Sequence, residues 1–105
     1  MSRVEAIRKI VEQSPNDPFP RYGLAMELKN TGAHDDAHAA FEDLERRHPG
    51  YVPQFLMHAN LLAAMTRVPD ARACLERGIA AAQKTGNQHA LGEMQQALDQ
   101  LSADD

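Results

Sequence analysis

The chain has one cysteine, no tryptophan, and only three Phe and two Tyr among its 105 residues. A lone thiol, Cys74, excludes an internal disulfide framework and suits a reducing compartment. Cations are also in short supply, with 11 Lys and Arg against 15 Asp and Glu and a formal charge of −4. Phosphate backbones are bound through Lys and Arg, so this balance argues against nucleic acid as the main partner. The densest basic spot, Arg46-Arg47-His48, falls where a helix is expected to end, and cations complement the dipole there. No run approaches the roughly 20 apolar residues of a membrane span, and the opening Met-Ser-Arg has no apolar signal region. The expectation is a cytoplasmic protein with no membrane partner.

Chemical motifs are equally scarce. There is no Gly-rich phosphate loop, nucleophile elbow or paired-carboxylate arrangement. His34 and His38 stand four apart, a spacing that sets two imidazoles on one helix face, but a catalytic zinc takes about three protein ligands. His34 is expected at a helix start, beside Asp35 and Asp36, and His38 on a solvated face. Cys74 has no histidine at a spacing that would activate it and is expected as a half-buried packing thiol. Asp70, Glu76, Asp104 and Asp105 read as caps or solvated charge. No enzyme, no metal and no cofactor is expected.

What the chain does have is a period. Ile7, Phe41 and Leu75 lie 34 residues apart, and Pro15 and Pro49 keep the same distance. Spacings of this size mark repeats built from helix pairs, in which one pair cannot bury its apolar face alone. At this length a single small domain is expected, burying about two thirds of the surface of the unfolded chain.

Apolar residues recur at helical spacing in six segments bounded by Gly and Pro. The first follows Ser2, a cap with Glu5 three residues on, and carries Val4, Ile7, Ile10 and Val11. The second spans about Pro18 to Asn30, with Leu24, Ala25 and Leu28 on one face and Gly32 as its left-handed stop. The third starts near Asp35 and turns Ala37, Ala40, Phe41 and Leu44 inward. The fourth, about Pro53 to Met65, uses Phe55, Ala59 and Leu62, with Met65 at the end of the same stripe; the fifth, about Pro69 to Lys84, uses Ala71, Leu75 and Ile79. The last, about Asn87 to Leu101, sets Leu91, Met94, Leu98 and Leu101 on one stripe and polar residues on the rest, as suits the end of a stack. Ser102 to Asp105 reads as a frayed acidic tail.

These residues resemble the tetratricopeptide repeat. Its pattern is an aromatic, then Leu with a small residue, and in the second helix Ala, Phe and a closing Pro. Leu24, Ala25, Leu28, Gly32, Ala37, Phe41 and Pro49 carry it in one unit; Phe55, Ala59, Leu62, Ala71 and Leu75 carry it in the next. Arg21 stands where the first aromatic is usual, His58 where Leu is usual and Gln83 where Pro is usual. The resemblance implies a small bacterial-type domain: an all-α, right-handed α-solenoid of antiparallel helix pairs. Residues 1–17 form a leading half repeat, 18–51 and 52–85 two repeats, 86–101 a capping helix and 102–105 a tail.

A protein–protein interaction module is the function that this resemblance implies, with the first helices of the units lining a concave groove. On that face Phe19, Tyr22, Met26, Lys29, Leu56 and Asn60 are the expected partner-binding residues. Some relatives grip the C-terminal carboxylate of heat-shock chaperones with lysines and asparagines; of those only Asn60 corresponds, so that partner class is disfavoured. An aromatic and thioether-bearing face suits a peptide or protein segment, or a second copy of the chain in a homodimer. A small metal-dependent enzyme built on the histidines is the remaining alternative.

Overall fold

The computed structural model describes residues 2–104, with side chains through Ser102. Among these residues there are six α-helices and no strand. Residues 1–48 and 49–105 form two compact units. The fold is all-α, of the expected helical-pair type.

The first unit contains α1 (Arg3–Gln13), α2 (Pro18–Asn30) and α3 (His34–Arg47). Local signals set the starts of α1 and α2. Ser2 Oγ accepts from Glu5 N at 3.1 Å, and Asp17 Oδ1 accepts from Phe19 N at 3.0 Å, each satisfying one of the orphan donors of a first turn. Pro18 follows Asp17 at the start of α2, where its missing N–H costs nothing. Helix α2 packs on both neighbours, whereas no Cα of α1 comes within 8 Å of one in α3. The unit closes over Val11, Ala25, Leu28, Ala37, Phe41 and Leu44, all buried. Ala25 and Ala37 let α2 and α3 approach, and Phe41 fills the space between them. Ile10, expected in the apolar stripe of α1, instead stands 49% exposed.

The second unit contains α4 (Pro53–Ala64), α5 (Val68–Thr85) and α6 (Gln88–Asp104), and here all three helices touch one another. Its core is Val52, Phe55, Ala59, Leu62, Ala71, Cys74, Leu75, Ala82 and Met94. Leu91, Leu98 and Leu101 of α6 pack against it, which is the stripe expected from their spacing. The expected frayed tail is corrected in part: α6 continues through Ser102 to Asp104, and only Asp105 lies outside the described residues.

Glycine at 78 makes the close packing of this unit feasible. A Cβ added there would lie 2.5 Å from Phe55 Cβ and would also overlap Met94 Sδ, so α5 reaches both neighbours only because the position has no side chain. Helix α4 is buried along a second stripe as well, formed by Gln54, His58 and Leu61. Gln54 Nε2 donates to Tyr51 O at 3.0 Å.

The turns after α2 and α4 repeat bond for bond. Ala33 N donates to Leu28 O at 2.9 Å and Gly32 N to Lys29 O at 3.2 Å; 34 residues later Arg67 N donates to Leu62 O at 2.8 Å and Thr66 N to Ala63 O at 3.0 Å. These pairs of bonds satisfy the last carbonyls of each helix, and they demand a left-handed residue at the same place. Gly32 has φ 83° as expected, and Thr66 is forced to φ 60°.

Candidate functional site

Of the six residues expected to bind a partner, Phe19, Tyr22, Met26 and Lys29 belong to α2 in the first unit, and Leu56 and Asn60 to α4 in the second. The four on α2 follow a spacing of three and four residues and so share one face of that helix. Phe19 is 67% exposed, while Tyr22, Met26 and Lys29 are half-buried. Asn60 is exposed. Leu56 is half-buried and packs against the core of its unit, so it is only partly turned away from the packed side. The reason is α6, whose Ala97 and Leu98 reach the same core.

Leu56 and Ala97 also line a cleft of about 270 Å³ between α4 and α6, with Glu93, Gln96 and Gln100. The three polar residues come from successive turns of α6 and form one rim, and the two apolar residues lie between the helices. Glu93 Oε1 is 3.4 Å from Nε2 of His89, whose side chain is 89% exposed, so the pair is weak.

A larger cleft, about 370 Å³, opens within the first unit between α1 and α3, over α2. Leu24, Leu28 and Val11 supply apolar surface, and Arg8, Glu12, Arg21, Asp36 and Asp43 supply charge. Arg21 Nη1 is 2.8 Å from Asp43 Oδ2, Arg46 Nη2 is 2.7 Å from Asp43 Oδ1, and Arg47 Nε is 3.2 Å from the same oxygen. Burial works to raise the Asp43 carboxyl. Hydrogen bonds from Arg46 and Arg47, with the charges of Arg47 and Arg21, outweigh it and hold the group below its ordinary value of 3.8.

Sequence reading missed this cleft, although it had noted both the arginine in the aromatic position and the basic end of α3. The missing link was Asp43, whose pairing with Arg21 joins two helices across 22 residues of chain.

The titratable residues singled out by spacing take structural positions. His34 opens α3, as expected. His38 is not on a fully solvated face: its side chain is 18% exposed and its Nε2 lies 3.4 Å from Glu42 Oε1. Among the described residues, no group of three His, Cys, Asp or Glu is placed to hold a metal ion. Cys74 is fully buried rather than half-buried, and its Sγ donates to Phe55 O at 3.5 Å. Asp70 accepts from Arg67 at 2.8 Å at the start of α5. No described helix is long and apolar enough to cross a membrane.

Two units of packed antiparallel helices with small residues at the crossings and a left-handed stop 34 residues apart define a helical-repeat protein. The comparisons give the family. A tetratricopeptide repeat domain protein from Salinibacter ruber, known in solution, shares 34% identity, with 85% of this chain and 90% of that one covered and a TM-score of 0.80. A crystal structure of a tetratricopeptide repeat domain protein from the same organism gives 33% identity, covering 83% of this chain and 97% of that one, with a TM-score of 0.77. The chain belongs to the tetratricopeptide repeat family. A protein from Bordetella parapertussis, 23% identical, has the same fold over 100% of this chain and 91% of its own, with a TM-score of 0.84. No protein-family model matches the chain. No curated protein matches it either.

Proposed function

We propose that this chain is a non-catalytic protein-interaction module that receives a segment of another protein on the α4–α6 face. The cleft supports that reading: Leu56 and Ala97 offer an apolar seat, and Gln96 and Gln100 offer amides able to donate to and accept from the backbone of an extended chain. The face of α2 bearing Phe19, Tyr22, Met26 and Lys29 is the companion surface in the first unit. Membership of a repeat family built on helix-pair scaffolds favours binding over chemistry. A cytoplasmic setting suits the buried thiol of Cys74. The repeats are read as 18–51 and 52–85, which enclose α2–α3 and α4–α5.

Affinity capture from the source organism tests this, with the wild-type chain beside a Gln96→Lys, Gln100→Lys variant. Both glutamines are exposed, so the variant keeps its fold. A protein retained by the wild type and lost by the variant is the expected result; retention by both removes the α4–α6 face. The exposed Phe19 and Ile10 favour one second reading, a homodimer of this chain. Light scattering over a range of concentrations separates the two, because a dimer doubles the mass with no other protein present.

A further inference from the structure

We propose that the segment received by the α4–α6 face carries a lysine or arginine beside its apolar anchor residue. This rests on the reading of that face as a peptide-binding surface and adds the sign of its partner's charge.

Helix α4 contributes no charge at all: Pro53–Ala64 contains no Asp, Glu, Lys or Arg. Helix α6 contributes only acid, since Gln88–Asp104 contains Glu93, Asp99 and Asp104 and neither Lys nor Arg. The cations of α5, Arg72, Arg77 and Lys84, do not line the cleft. The cleft itself therefore has one charged group, Glu93, standing beside the apolar seat of Leu56 and Ala97.

Glu93 is open to a ligand, because its side chain is 49% exposed and its neighbour His89, which is charged only when protonated, is 3.4 Å away. A ligand cation at this rim gains a partner at the edge of an apolar surface. An acidic segment meets like charge with no lysine or arginine from either helix to offset it, and such juxtapositions are what discriminate partners. Gln96 and Gln100 continue the rim over the next two turns and bind backbone of either kind, so they set affinity without choosing charge.

The test is a spot array of synthetic dodecapeptides with a fixed central Leu, flanked by Lys, Arg, Gln or Glu and randomised elsewhere. It is probed with the full chain and with Glu93→Gln and Glu93→Lys variants whose melting curves match the wild type. Basic peptides should bind the wild type about fivefold or more above acidic ones, a margin of about 1 kcal/mol. The margin should shrink as salt rises toward about 1 M. Glu93→Gln should bring it within about twofold, and Glu93→Lys should reverse it. Equal binding of all peptides, a preference for acidic ones, or a basic preference that survives Glu93→Lys overturns the inference and leaves peptide binding standing. Binding of no peptide overturns both.

Discussion

Helices α2–α3 and α4–α5 are written on one 34-residue frame, yet they solve the same packing problem with different contents. Ala25 matches Ala59, Leu28 matches Leu62 and Ala37 matches Ala71, all buried, so the close crossings are common to both. The difference lies one turn away. Position 21 is arginine where position 55 is phenylalanine, and position 44 is leucine where position 78 is glycine. In the second unit the aromatic ring takes room that glycine leaves empty, and the third helix seals the arrangement through Met94. In the first unit the arginine cannot be buried without a countercharge, so Asp43 is drawn to it and a charged cleft remains. The comparison teaches that a repeat conserves volume and partnership jointly across facing positions; substituting one member changes what its neighbour must be.

The largest test of this comparison removes what both units need. Phe41 is completely buried, and Phe41→Ala should cost about 3 to 5 kcal/mol, with Leu75→Ala in the matching position costing about 2 to 5. Thermal unfolding followed by circular dichroism measures both. A melting temperature untouched by Phe41→Ala would mean that the 34-residue register carries no packing.

Next in size is the glycine that distinguishes the second unit. Gly78→Ala should destabilise by about 1 to 3 kcal/mol, because the new methyl meets Phe55 Cβ, which is fixed to the backbone and cannot swing aside. Gly92→Ala on α6 is the control: nothing lies within 4 Å of a Cβ there, so helix propensity alone should stabilise it by up to about 1 kcal/mol. If both substitutions stabilise equally, the close approach at Gly78 is not a constraint.

Much of the frame was legible because its causes are local. Ser2, Gly32 and the Pro18 and Pro53 starts act within a turn of their own positions, and the 34-residue spacing of Phe41 and Leu75 reports a core directly. Gly78 was not legible: a glycine inside a helix looks like a tolerated weakness, and only Phe55 and Met94, from two other helices, give it a purpose. The same holds for Arg21, which looked like a lost aromatic until Asp43 supplied the partner. At the candidate site, the α2 face could be set apart from the buried stripe by periodicity, but the share of Leu56 taken by α6 depended on a third helix that does not keep the 34-residue register. Thr66 gave no warning either, since threonine rarely adopts the left-handed region.

The ion pair of the first unit should be worth less than either core change. Asp43→Asn deprives Arg21, with a side chain 14% exposed, of its charged acceptor and should cost about 1 to 2 kcal/mol at neutral pH. Because the folded carboxyl titrates below its ordinary value of 3.8, its contribution is present above that value and is lost as pH falls through the lower folded value. Chemical denaturation from pH 7 to pH 2 should therefore show wild-type stability declining on the acid side, with a shallower decline for Asp43→Asn. Parallel profiles would show that the three arginines do not stabilise the carboxylate.

The smallest effect tests the turns, where the two units agree in backbone and differ in residue. Thr66 holds φ 60° only because the Schellman-type bonds of Arg67 and Thr66 to α4 require it. A β-branched residue in that region carries strain of about 1 to 2 kcal/mol, whereas glycine at the same turn has none. Thr66→Gly should therefore stabilise the chain, but by only about 0.5 to 1 kcal/mol. Glycine adds entropy to the unfolded state, and the bond from Thr66 Oγ1 to Met65 O at 2.6 Å is lost. The reciprocal change, Gly32→Thr, imports the strain into the first unit and should destabilise by a similar amount. Opposite shifts in melting temperature would establish that both turns impose one conformation whatever residue occupies them. A loss of stability in Thr66→Gly would instead make the threonine hydroxyl, not the left-handed geometry, the governing feature of the second turn.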